Sequence, residues 1–163
     1  MDDEVLIIGY GNPDREDDGV AWHILKNLAT QLGQPEPSQN LDSLHHHGEA
    51  PDLLCVLQLD PDMAEVIVDY DRVCFVDAHT GTYQEEIRFE RIEGKFESSP
   101  FTHHMTPETC LTLAETLFGQ TPQAIVVSVR GYHFGFSHGL SIETAALAEV
   151  AMDRIIAWLR SGN

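Results

Sequence analysis

Positive charge is scarce in this chain. Nine Lys and Arg stand against 27 Asp and Glu, a formal charge of −18 at pH 7 over 163 residues. A field of that sign repels nucleic-acid phosphates and anionic membranes, which argues against both as partners. Cysteine is scarce too. Cys55, Cys74 and Cys110 are odd in number, far apart and set in the apolar runs "DLLCVL", "RVCFVD" and "TCLTLA", and no CxxC occurs. Such residues read as buried thiols of a protein in a reducing compartment. No apolar run approaches the roughly 20 residues of a membrane span. The start "MDDEVLIIG" is acidic and enters a strand directly, unlike a signal peptide. A cytoplasmic location is therefore expected. Catalytic signatures are missing as well: no H-E-x-x-H, no Walker lysine, and no Ser/His/Asp or Cys/His set, since Cys74 falls mid-strand and Ser128 inside a buried run.

What is present belongs to a globular protein, with 42% apolar and 22% charged residues. The length suits a single domain, residues 1–163, able to bury about 70% of its unfolded surface. "VLIIG" from Val5 reads as a buried strand, and Val20, Ile24, Leu25 and Leu28 recur at helical spacing between about Asp18 and Leu32. The proline-rich, polar stretch from Gly33 to Asp52 reads as a surface loop or insertion, so its triplet His45-His46-His47 is expected to be solvated. Leu53–Leu59 is the next strand, and Asp60-Pro61 the cap and first residue of a short helix to about Val68. Arg72–Ala78 is a third apolar strand. Glu85–Ile92 alternates like a half-exposed edge strand, Thr106–Gly119 is a capped helix, Gln123–Gly131 a buried strand, and Ser141 caps a last helix to about Arg160. Alternating strands and helices predict an α/β fold: a three-layer sandwich whose mostly parallel, twisted sheet has about five strands flanked by helices.

Ligands of such sheets bind beyond the carboxyl ends of the strands, and three features fall there. The first is the turn after "VLIIG". Gly9 and Gly11 fit a dinucleotide fingerprint, but its third glycine falls on Asp14, and Asp14, Glu16, Asp17 and Asp18 together would repel a pyrophosphate. Crowded carboxylates suggest a cation instead. One of Asp17 and Asp18 can serve as a helix cap, and Asn12 can bond amides across the turn. The second feature is Asp77, the first polar residue as "RVCFVDA" emerges, with His79 beside it. The third is His103-His104 before the capped helix; at most one of two adjacent histidines can face a shared site. One histidine with two carboxylates is an N/O set that fits Ni, Zn, Mn or Fe(II). His133 and His138 are either surface groups or lie near the same strand-end face.

These stretches together resemble the [NiFe]-hydrogenase maturation endopeptidases. That family carries a G-x-G-N turn followed by D-[DE], met here by Gly9, Gly11, Asn12, Asp17 and Asp18. Its strand-end Asp-Ala is met by Asp77-Ala78, its H-x-M by His103 to Met105, and its late Gly-apolar-Ser by Gly139 to Ser141. The resemblance runs from about Val5 to Leu159. It implies an aspartic-type or metal-dependent endopeptidase that removes the C-terminal tail of a [NiFe]-hydrogenase large-subunit precursor after nickel insertion. Asp18, Asp77 and His103 are then the metal-contacting residues, with nickel supplied by or shared with the substrate. Asp18 or Asp77 is the catalytic base for a water nucleophile. "VLQLDPD", Val56 to Asp62, departs from the Asp-Gly-Gly-Thr of one branch and favours one serving soluble or bidirectional hydrogenases. A monomer is expected. The competing expectations are a non-catalytic nickel-binding assembly module and a nucleotide-binding α/β protein.

Overall fold

The computed structural model describes residues 3–44, 51–94 and 105–162. His45 to His47, His103 and His104 lie outside the described residues. Strands β1 (Val5–Tyr10), β2 (Asp52–Val56), β3 (Arg72–His79), β4 (Ile87–Ile92) and β5 (Gln123–Arg130) form one sheet in the order β2-β1-β3-β5-β4. All neighbours are parallel except β4, which runs antiparallel along β5 at the edge. The sheet is thus mixed, with the expected edge strand as its reversed member. Side chains alternate strictly between its two faces. Ile7, Cys74, Val76, Ile125 and Val127 face helices α1 (Val20–Leu32) and α4 (Ile142–Ser161). Leu6, Ile8, Val73, Phe75 and Val126 face α2 (Met63–Ile67) and α3 (Pro107–Phe118). Three layers result, because a strand buried on both faces must be apolar along its length, as "VLIIG" and "VCFV" are. Removing the side chain of Phe75, fully buried at the sheet centre, would cost about 3–5 kcal/mol.

Local signals explain most boundaries. Thr106 Oγ1 accepts the Thr109 N–H at 3.2 Å with Pro107 at the first helical position, and Gly119 closes α3 in the left-handed region. Ser141 Oγ accepts the Thr144 N–H at 3.2 Å to open α4. The short helix starts later than expected, at Met63. Asp60 Oδ1 accepts the Asp62 N–H at 2.9 Å, an Asx turn that delays helical pairing by two residues. Strand β2 ends at Val56 rather than Leu59, and Asp52 belongs to the strand, not to the preceding loop. That loop is partly ordered by a bridge between Ser38 and Leu54 and a single 3-10 turn at Leu41–Ser43. Cys55, Cys74 and Cys110 are all buried and free, and burial pushes the Cys55 and Cys110 thiols up to about 12. Among the described residues no helix is long and apolar enough to cross a membrane.

Candidate functional site

The strand order places the site. From β1 the chain crosses to β2 on one side, and β3 then returns to the other side of β1. Connections diverge at this point, which leaves a crevice between the carboxyl ends of β1 and β3. Tyr10 ends β1 and Asp77 stands near the end of β3. A 3-10 turn, Glu16–Gly19, delivers Asp18 over the same crevice. A cavity of about 290 Å³ there is lined by Tyr10, Gly11, Asp18, Gln58, Asp77 and Met105, among others. A wider groove, about 1140 Å³ between β4 and α3, lies toward the amino end of β5, away from these strand ends.

Backbone geometry brings Asp18 in. Gly11 has φ +141°, and a Cβ there would collide with the Asp18 carbonyl oxygen, so only glycine lets the turn fold back this tightly. Asp18 Oδ2 then accepts the Asn12 N–H at 2.8 Å, and Asn12 Oδ1 accepts that of Asp14 at 2.9 Å. Trp22 Nε1 pins the turn by donating to the Gly11 carbonyl at 2.9 Å. Neither the 3-10 turn nor α1 has a side-chain cap, so neither Asp17 nor Asp18 takes the expected capping role on its own helix.

Asp17 serves a distant helix instead. It is fully buried, and its carboxylate accepts the N–H groups of Tyr132 (2.8 Å), His133 (2.9 Å) and Ser141 (2.7 Å) and the Ser141 hydroxyl (2.7 Å). The Thr144 hydroxyl lies 2.9 Å away. These donors are the first turn of α4 and the loop before it, where the helix dipole also favours an anion. Burial alone would raise this carboxyl; the Ser141, Tyr132 and His133 hydrogen bonds outweigh it and hold it at about 2.

Asp77 is perturbed in the other direction. Burial pushes it up to about 6; hydroxyls of Ser128 and Tyr10 and the Arg88 charge act against this, while Asp18 adds to it. Tyr10 donates to Asp77 Oδ2 at 3.0 Å. Asp77 Oδ1 is sealed from solvent and has no hydrogen-bond partner among the described residues, and neither has Ser128 Oγ, its register neighbour on β5. The Ser128 hydroxyl therefore stands close enough to favour the carboxylate yet out of hydrogen-bonding geometry. Tyr10→Phe should carry the Asp77 pKa above 6, because it removes a donor that favours the ionised form. A carboxyl-resolved NMR titration checks this, and an unchanged value would deny Tyr10 that role.

The histidines divide. His79 is buried, with Nδ1 accepting the Gly81 N–H at 3.2 Å and its ring edge-on to Tyr83. It does not line the cavity. His133 and His138 are exposed, near Glu143 (3.9 Å) and Asp14 (3.2 Å) respectively. Among the described residues no group of three or more His, Cys, Asp or Glu converges on a metal position. The structure thus brings Asp18 and Asp77 to one cavity, while His103 lies outside the described residues. Tyr10 and Ser128 were not anticipated. Tyr10 shares the parity of Leu6 and Ile8 and so the face of Asp77, a readable signal; Ser128 needed the β3–β5 register.

No protein-family model matches the chain, and no curated protein matches it either. Solved structures do. The hydrogenase maturating endopeptidase HybD from E. coli superposes with a TM-score of 0.66 at 19% identity, over 98% of this chain and 94% of that one. The [NiFe] hydrogenase maturation protease HycI from Thermococcus kodakarensis KOD1 gives 0.67 at 18% identity, over 96% and 92%. The fold is that of the hydrogenase maturation endopeptidases. The hydrogenase 2 maturation peptidase from Thaumarchaeota archaeon SCGC_AB-539-E09 shares it, with a TM-score of 0.61 at 18% identity, covering 96% of this chain and 97% of that one. The shared architecture spans nearly the whole of each chain, so the carboxylate crevice lies within it rather than on an appended segment.

Proposed function

We propose that this protein is a hydrogenase maturation endopeptidase, acting on a [NiFe]-hydrogenase large-subunit precursor and removing its C-terminal tail once nickel is seated. The observation that carries the reading is the pairing of Asp18 and Asp77 on one cavity at the sheet's switch point, in a fold shared with proteases of that name. Two carboxylates facing one cavity repel each other, and the Asp18 charge adds a small upward push to the burial that raises Asp77. A divalent cation carried in by the substrate relieves that repulsion and polarises a nearby carbonyl. The donor chemistry fits nickel: two carboxylates here, with His103 the histidine the sequence offers. A single domain and a monomer accompany this reading.

The chain's own residues supply the proton chemistry. With a pKa of about 6, Asp77 is largely ionised at neutral pH yet basic enough to take a proton from an attacking water. Tyr10 holds Oδ2 and so fixes the plane of the carboxylate. Asp18, fixed by the Asn12 N–H, stands across the cavity as the second oxygen donor. The buried cysteines are protonated and take no part.

The test is to incubate the protein with nickel-loaded large-subunit precursor and weigh the products. Loss of a discrete C-terminal tail is expected. A precursor that keeps its mass while the protein demonstrably binds nickel would make it an assembly module instead.

A further inference from the structure

One short turn serves two surfaces. Residues 15–18 follow β1, and only Asp18 lines the carboxylate cavity. The other three grip the loop between β5 and α4. Arg15 donates from Nε and Nη2 to the Phe134 carbonyl (3.2 and 2.6 Å) and from Nε to that of Gly135 (3.2 Å). The Glu16 and Asp17 N–H groups donate to the carbonyls of Ser137 (2.9 Å) and His133 (3.0 Å). The Asp17 carboxylate completes the clamp from beneath, through Tyr132 and His133.

Phe134 and Leu140 of this loop are half-buried, Leu140 against the core, but two apolar side chains stand out. Phe136 is 89% exposed and Ile142, the first residue of α4, is 86% exposed. They are the two most exposed large apolar side chains among the described residues. The Arg15 guanidinium lies over the Phe136 ring, 4.5 Å from its centroid. A single exposed apolar residue is ordinary. An aromatic anchor on a pre-organised loop is what a binding hot spot requires, because little freedom is lost on association. Against the loop that carries it stand Glu16, packed on Gly135, Asp14, 3.2 Å from His138 Nε2, and Glu143, 3.9 Å from His133 Nε2, with Arg15 committed to carbonyls. The surrounding field is negative, as is the chain as a whole at −18.

We infer that Phe136 and Ile142 form a docking face for the folded body of the precursor, seating in an apolar depression rimmed by Lys and Arg. The inference rests on the endopeptidase reading. The clamp joins this face to Asp18 through consecutive residues, so the docked body stands at a fixed offset from the cavity. That offset brings the tail to the two carboxylates.

The experiment measures cleavage against precursor concentration for the wild type, Phe136→Ser and Ile142→Thr, with thermal unfolding and sedimentation alongside. Both side chains are exposed, so folding should be unchanged. The expected result is a KM raised roughly tenfold or more with kcat preserved, since these residues touch no reacting atom. The wild-type KM should also climb as salt rises from about 50 to about 500 mM, because the attraction is screened. An unchanged KM in both variants overturns the docking face. So does a wild-type dimer that Phe136→Ser dissociates, since the occupant is then a second copy. A KM indifferent to salt overturns the basic character of the partner. If the wild type cleaves nothing, the endopeptidase reading fails separately, and calorimetric titration with the precursor decides: binding lost in Phe136→Ser sustains the face, and no wild-type binding ends it.

Discussion

Asp77→Asn should stop cleavage and, at pH 8, make the protein harder to unfold. The first half follows from the base: losing a positioned proton acceptor costs about 10²–10⁴ in rate. The second follows from burial. In the unfolded chain Asp77 ionises near 3.8, in the folded one near 6. Below 3.8 both states hold the proton and nothing is lost. As pH rises through 6 the folded state is left with a charge that burial and Asp18 both oppose, and the stability present in acid disappears. Asparagine keeps an acceptor for the Tyr10 hydroxyl without the charge. The variant should therefore gain about 2 kcal/mol, or about 5 °C in Tm, at pH 8, with the gain vanishing near pH 4. Differential scanning calorimetry at the two pH values checks it. A variant less stable than wild type at pH 8 would mean that Asp77 is a structural anion rather than a base held against its burial.

Asp17→Asn, at the first of the two adjacent aspartates in the turn, should do the reverse. Its carboxylate collects donors from Tyr132, His133 and Ser141, and an amide nitrogen would turn N–H groups against N–H groups. Loss of such a buried charged acceptor costs about 3–4 kcal/mol, or about 10 °C in Tm. The pH dependence has the opposite sign to that of Asp77. The carboxyl is held at about 2 when folded against 3.8 when free, so its stabilisation is complete above 3.8 and is lost as pH falls toward 2. The gap between wild type and variant should narrow on acidification. Because Asp17 also organises the loop that carries Phe136, the same variant should lose affinity for the precursor even at temperatures where it is folded. A Tm within about 2 °C of wild type at pH 7 would show that the loop and α4 hold without Asp17.

The contrast between Asp17 and Asp18 marks what could be read in the sequence. Signals that act within one turn were legible: Thr106 and Ser141 cap helices three residues before the amides they bond, and the apolar runs of β1, β3 and β5 mark buried strands. Asp77 was legible because a carboxylate interrupts an apolar run where a parallel strand ends. Two adjacent aspartates are indistinguishable by spacing. Their roles separate only when α4 packs beside α1 and brings Ser141 within 2.7 Å of Asp17, 124 residues away in sequence. Ser128 was hidden for the same reason: a lone hydroxyl in "QAIVVSVRG" means nothing until the register sets it opposite Asp77. The late start of α2 shows a local rule giving way to another local rule, with the Asx turn at Asp60 prevailing over proline at a first helical position. His103 belongs to the sequence-level reading alone.

On the proposed function, the paired carboxylates of Asp18 and Asp77 read nickel in the substrate before the tail is cut. The measurement that tests this most directly compares tail loss from nickel-loaded and nickel-free precursor, at equal concentration, by intact-mass spectrometry. Cleavage of the loaded form should be faster by about a hundredfold or more, since the cation brings the carboxylates and the scissile carbonyl together. Equal rates from the two precursors would contradict it.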